Sequence, residues 1–318
     1  MRNLFFLFLF PLALFSQQSD FEIAENYFKK EQFQKAQPLF EGYLKIHPKD
    51  LKTREYLGDI SAYAKDWDGA IDYYKDLVEE NNKNANYQFK YGGALGMKAL
   101  SISKLRAVTY IDDIKEHFTK AAELDPQHIE TRWALVELYL QLPGIVGGSV
   151  SKAEKYAAEL LAISPVDGYL SKGYIAEYEH DAERAEYFYK KAIEVGGSAH
   201  TYEKLTSLYE SNDEPEKAID TAAASFKIHK RNQLNYQIGK IAAQYNMESQ
   251  LGIDCLKRYI ENHTVKDGVP VDWAYFRLAQ IYKNIGNKER ALQYIDKALA
   301  KNPEFEEALE ERSAIQLL

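Results

Sequence analysis

Seven histidines, one cysteine and two serine–lysine pairs are the side chains of this 318-residue sequence that could do covalent or metal chemistry. No two of His47, His117, His128, His180, His200, His229 and His263 stand four apart, and no H-E-x-x-H occurs. That spacing is what puts two imidazoles on one helix face around zinc. Ser101 with Lys104, and Ser149 with Lys152, have a separation at which lysine can activate serine. The companion motifs of such enzymes are missing, and charged helices produce this spacing by chance. There is no G-x-x-x-x-G-K-[ST] phosphate loop and no G-x-G-x-x-G turn. Neighbouring acids such as Glu79-Glu80 and Glu306-Glu307 read as solvated faces, and His47 before Pro48 suits the negative end of a helix. The single Cys255 forms no internal disulfide and reads as a small buried apolar residue on a helix. The expectation is a protein without a catalytic set, metal or cofactor.

What remains is surface, and the elements that build it. Tyr275-x-x-Leu278-Ala279-x-x-Tyr282, then Ala291, Ile295, Ala298 and Pro303, is one copy of a phrase that recurs upstream. Its period of about 34 residues is the mark of a helical-hairpin array. Each copy needs a first helix carrying a large residue, a small one and an aromatic on one face at 3.6 residues per turn. A second helix begins with an alanine that permits close approach, and a proline commonly follows it. The units fall at about 17–50, 51–84, 85–128, 129–165, 166–197, 199–232, 233–266 and 272–303. A polar closing helix over 304–318 covers what would be a bare apolar end. Pro165 reads as the stop of the fourth unit, Gly196-Gly197 as that of the fifth, and Pro215 as a helix start.

The N-terminus is of another kind. Arg2 followed by the apolar run Leu4–Phe15 and small Ser16 is the layout of a secretory signal peptide over residues 1–16. The run is shorter than the roughly 20 residues of a membrane span. Leu14 fits the A-x-A cleavage pattern poorly, so an uncleaved anchor stays open. The expected location is outside the cytoplasm, with the periplasm first and a secreted or membrane-anchored protein as alternatives. With 48 acids against 40 bases, the formal charge of −8 argues against nucleic acid and against an electrostatic hold on anionic lipid.

On these residues the chain resembles tetratricopeptide repeat (TPR) proteins over roughly residues 20–305. The resemblance implies an all-α, right-handed solenoid of about eight helix pairs whose concave groove, lined by first helices, holds a protein or peptide segment. The groove positions of that family fall here on Phe21, Glu25, Phe28, Glu55, Asp59, Phe89, Trp133, Glu137, Tyr174, Glu177, Glu203, Glu210, Trp273 and Phe276. Aromatics alternate with carboxylates, which favours a basic or apolar ligand. The Lys and Asn clamp that some members use on a C-terminal carboxylate is replaced by Glu55, Asp59, Trp133 and Glu137 at the matching positions.

Two interruptions break the pattern. Met97–Tyr110 carries Leu100, Leu105 and Val108 at helical spacing and reads as a lengthening of both helices of the third pair, serving as a prop or a docking ridge. Leu142–Ser149, with Gly144, Gly147, Gly148 and Ser149, reads as a docking loop that could present free backbone N–H groups before a helix near Lys152, or as a structural loop capped by Ser149 or Ser151. Proline, Gly-Gly and a following helix over Tyr91–Ala157 also resemble periplasmic TPR partners of tripartite ATP-independent (TRAP) transporters, which implies an accessory role to a solute-binding component.

Overall fold

The computed structural model describes residues 20–318, so the expected leader over 1–16 lies outside the described residues. Among these residues there are helices and turns and no strand. They fall into two compact units, one ending at Ile163 and one running over Ser164–Leu318.

The first unit holds four hairpins. Helix α1 (20–29) pairs with α2 (Phe33–Ile46), and α3 (Leu51–Tyr63) with α4 (Trp67–Glu80). Then come α5 (Ala85–Ser101), single-turn α6 (Lys104–Ala107) and α7 (Ile111–Leu124), followed by α8 (Ile129–Gln141) and α9 (Val150–Ile163). In the second unit α10 (Pro165–Tyr178) pairs with α11 (Ala182–Gly196), and α12 (Ala199–Ser211) with α13 (Pro215–His229). Helices α14 (Asn232–Gln244) and α15 (Ser249–Glu261), then α16 (Val271–Asn284) and α17 (Lys288–Lys301), complete it, and α18 (Glu306–Gln316) closes the array.

Small residues set how closely each pair packs. Ala36, Ala70, Ala153, Ala185, Ala218 and Ala291, near the starts of second helices, are fully buried. On the first helices, Gly58 lies under the Tyr74 ring, Gly173 under Tyr189, Gly92 under Phe118 and Gly239 under Leu256. The recurring small–aromatic phrase is therefore one contact made repeatedly, a backbone of one helix against the large side chain of its partner.

The tight turns follow a rule that composition conceals. In six hairpins the connection holds a residue with positive φ: Glu31, Lys65, His180, Asp213, Asn246 and Gly286. Only the last is glycine, so the turn geometry is held against a cost of roughly 1–2 kcal/mol per residue in the left-handed region. Asp66, Asp181 and Asn287 then cap the second helices, accepting from the N–H groups of Gly69, Arg184 and Arg290.

Three boundaries differ from expectation. Only the first helix of the third pair is lengthened: α5 has 17 residues against 13 in α3 and α8, whereas α7 has 14. Ile102 and Ser103 are extended, so the rest of the interruption is a separate turn, not a continuation. Pro165 also occupies the first turn of α10, where its missing N–H is harmless, and extended Ser164 before it separates α10 from α9, which ends at Ile163. The closing helix begins at Glu306, with Glu306 and Glu307 in its first turn, where carboxylates oppose the helix dipole.

Candidate binding surfaces

Successive first helices of the N-terminal unit bring Glu25, Glu55 and Asp59 to one face, and each is already engaged. Glu25 accepts from Lys29 Nζ at 2.8 Å and from the Tyr56 hydroxyl at 2.6 Å. The Lys29 and Tyr56 bonds hold its carboxyl below the usual range. Burial, and then the Glu25 carboxylate, push the Tyr56 phenol well above its ordinary value. Lys90 Nζ, reaching from α5, donates to Glu55 at 2.7 Å and to both oxygens of Asp59 at 2.7 and 2.8 Å. Asn86 Nδ2 adds a bond to Glu55 at 2.9 Å, and the Tyr74 hydroxyl one to Asp59 at 2.6 Å. One ammonium thus offsets two carboxylates in a partly dehydrated site, where charge-assisted bonds are strong. The acidity expected of this face is largely compensated from within. Asn86 and Lys90 went unnoticed because they sit one repeat beyond the acids they neutralise.

The aromatic positions divide into two groups. Phe21 and Phe28 belong to the core: Phe21 lies edge-on to Phe40 at 5.7 Å, and Phe28 packs against Tyr56 at 4.6 Å and Phe33 at 5.3 Å. Phe89 and Trp133 occupy equivalent places on α5 and α8 and stay half-buried, Phe89 resting on the His128 ring at 5.1 Å. Glu137, one turn beyond Trp133, is exposed.

In the second unit the expected residues differ in their partners and burial. Glu177 accepts a short bond from the Tyr189 hydroxyl, and Tyr174 beside it is half-buried. Glu203 is exposed and lies 3.6 Å from His200. Glu210 pairs with Lys240 at 2.6 Å. Trp273 packs on Phe305 at 4.5 Å and buried Phe276 lies 5.2 Å from the same ring. The Arg277 guanidinium stands over both rings. Trp273 and Phe276 therefore anchor the segment leading into α18, and a structural role accounts for them.

The glycine segment turns its backbone inward. The N–H groups of Val146 and Gly148 donate to the Pro143 carbonyl, that of Gly147 to Gly144, and that of Ser149 to Tyr139. These four N–H groups, those of Gly147 and Gly148 among them, are already engaged, which removes the reading of Gly147-Gly148 as an anion cradle. Gly147 has φ +97°, and a Cβ on Gly148 would fall on the Leu142 carbonyl, so the glycines are needed for the turn itself. The Ser149 hydroxyl accepts from Lys152 N at 3.3 Å and caps α9, which begins at Val150. Gly144 is exposed at the tip beside Ile145.

Among the described residues no three His, Cys, Asp or Glu side chains are grouped to hold a metal, and no helix is long and apolar enough to cross a membrane. Burial raises the Cys255 thiol, the opposite of what a nucleophile needs. The arrangement can hold another molecule by contact.

Residues 21–85 and 273–305 match family models of the tetratricopeptide repeat. A tetratricopeptide repeat protein from Parabacteroides merdae is similar over 95% of this chain and 99% of its own, with a TM-score of 0.51 and 14% identity, a likeness of fold. YrrB, described as a TPR protein with an unusual peptide-binding site, aligns with 62% of this chain and 97% of its own at 18% identity and a TM-score of 0.45. No curated protein matches the sequence. The two family-model matches, with the repeated hairpins and their small-residue contacts, identify tetratricopeptide repeats in this chain, arranged in the fold of a tetratricopeptide repeat protein.

Proposed function

We propose that this protein is an exported scaffold that holds a basic or apolar segment of another protein against the first-helix face of its N-terminal unit. One observation carries this reading. Phe89 and Trp133 stand half-buried at equivalent places on successive first helices, beside a charge network that is already satisfied. Rigid aromatics in such a setting give large contact area at little entropic cost. Because one ammonium, Lys90, is shared by Glu55 and Asp59, the face keeps only a mild preference for cations. The test is a peptide array probed with the wild type and with Trp133→Ala. Loss of most binders, with an unchanged circular dichroism melt, is expected. A variant that keeps every binder refutes this face.

Export rests on the Arg2, Leu4–Phe15 and Ser16 layout, with the periplasm as the proposed compartment. Mass spectrometry of the protein from its own cells decides it. A mature chain starting at Gln17 supports export and removes the tethered alternative, whereas a retained Met1 removes export by cleavage. An excess of acids supports a protein partner over nucleic acid. The accessory role to a solute transporter has no support from Gly147 and Gly148, whose amides serve the loop itself.

A further inference from the structure

The two interruptions of the repeat, 45 residues apart at their starts, come together on one edge of the N-terminal unit. The first ends in a 3₁₀ turn at Val108–Tyr110 that runs straight into α7. One turn into α7, Lys115 Nζ donates to the Val146 carbonyl of the second interruption at 2.6 Å. The loop of the fourth repeat is thereby tied to the base of the ridge of the third. Together they expose Met97, Leu100, Leu105, Val108 and Ile145, with Leu105 at 85% and Ile145 at 95% of their full accessibility. These five large apolar side chains stand in water on the two interruptions, where the pattern of buried repeat positions is broken.

Within the two interruptions themselves the charge has one sign. Between Met97 and Tyr110 there are three bases, Lys98, Lys104 and Arg106, and no acid, and Leu142–Ser149 carries no charge. Lys98 is held by Asp68 at 2.6 Å. Lys104 and Arg106 are exposed and make no ion pair among the described residues. In a chain with eight more acids than bases, two free cations interleaved with exposed leucines are a complementary pattern, not background. We propose that this edge docks an acidic amphipathic helix of a partner protein, its apolar stripe on Leu100, Leu105, Val108 and Ile145 and its carboxylates on Lys104 and Arg106. A bilayer fits less well. A flat anionic surface would also meet Asp112 and Asp113 at the foot of the ridge and a chain of formal charge −8, whereas a helix touches only the ridge. The inference rests on the scaffold reading but not on the first-helix face.

The test places a photo-reactive residue at Leu105, at Ile145 or, as a control, at exposed Lys75, in the full chain within its own cells, and identifies the crosslinked segments. The expected result is the same net-acidic segment, apolar at helical period, captured from positions 105 and 145 and not from 75. Lys104→Glu with Arg106→Glu should cut that yield roughly tenfold or more at an unchanged melting temperature, the equivalent of about 1.4 kcal/mol. Trp133→Ala should leave it unchanged. Adducts with lipid alone, basic segments, different partners from the two positions, indifference to charge reversal, or no adduct above the control would each overturn the proposal. Loss on Trp133→Ala without loss on charge reversal would assign binding to the first-helix face instead.

Discussion

Replacing glycine by alanine should have opposite signs at different places in this fold. In α2 and α5, a Cβ on Gly42 or Gly93 meets nothing within 4 Å. Alanine there gains the helix propensity that glycine lacks, about 0.5–1 kcal/mol. At Gly58 the new Cβ would stand 2.5 Å from Tyr74 Cε1, at Gly173 2.6 Å from Tyr189 Cδ1, and at Gly239 2.6 Å from Leu256 Cδ2. Carbon atoms prefer roughly 3.5–4.0 Å, so each neighbour must retreat by about 1 Å or more. Tyr74, Tyr189 and Leu256 are all buried and have little room. Overpacking of this kind costs about 1–3 kcal/mol. Moving either tyrosine also endangers its hydroxyl bond, to Asp59 or to Glu177, worth about 1.5–3 kcal/mol with a charged acceptor. Setting the helix gain against these terms, Gly58→Ala and Gly173→Ala should lose about 1–4 kcal/mol and Gly239→Ala about 0–2. Urea unfolding gives the sign through the midpoint, and amide exchange localises the loss to α10 and α11 for Gly173→Ala. If Gly173→Ala were as stable as Gly93→Ala, the packing of first on second helices described above would be wrong.

Other perturbations address the charge network. Arg132, 4% exposed, donates to the carbonyls of Ala122, Asp125 and His128 and to Glu159 at 3.1 Å, so it closes the end of α7. Arg132→Met leaves three carbonyls without this donor and should destabilise by about 1–3 kcal/mol and deprotect amides near Leu124, measured by denaturation and exchange. Lys90→Met strands Glu55 and Asp59 and should lose about 2 kcal/mol; adding Glu55→Gln and Asp59→Asn should recover most of it in the same denaturation assay. Burial pushes the phenols of Tyr209 and Tyr259 up to about 12, and those of Tyr56, Tyr74 and Tyr189 higher. Unfolded phenols ionise near 10, so this stability is intact below about pH 10 and is lost as pH rises beyond it. Phenolate absorbance of the buried group should therefore appear only together with loss of helical circular dichroism; full ionisation of the 24 tyrosines at about pH 11 with helices intact would contradict the burial described.

The architecture was legible because its signal is repeated. Each hairpin restates the same small-on-large contact, so an irregular unit such as the seventh is carried by its neighbours, with Gly252 standing where other units have alanine. The ends of the interruptions were not legible. Leu100, Leu105 and Val108 have helical spacing, but Ile102-Ser103 breaks the helix and Ser103 opens a new turn, a competition that spacing alone does not decide. The positive-φ turns were hidden for a different reason. Glu31, Lys65 and His180 carry no turn signature, and hairpin closure imposes their conformation from outside.

The proposed binding face was the least legible part, although the information was present. Taken one unit at a time, the sequence shows only aromatics and acids at groove positions. In the fold, the polar contacts of that face join residues about one repeat apart: Tyr56 to Glu25 and Asn86 to Glu55 at 31 residues, Lys90 to Asp59 at 31 and to Glu55 at 35. The rule extends to the other surfaces, with Lys115 to Val146 and Lys217 to Glu186 also at 31. In a solenoid each unit touches its neighbours, so a side chain's first partner stands one period away in sequence. Reading positions i and i + 31 together would have paired Asp59 with Lys90 before any coordinates existed. The same reading leaves Lys104 and Arg106 with Tyr73 and Lys75 behind them and Leu135 and Glu137 ahead. Neither Tyr73 nor buried Leu135 is an acid, so this register gives Lys104 no counter-charge. The array offsets much of the charge on its first-helix face from its own sequence, and at the interrupted edge it leaves Lys104, Arg106 and large apolar side chains exposed.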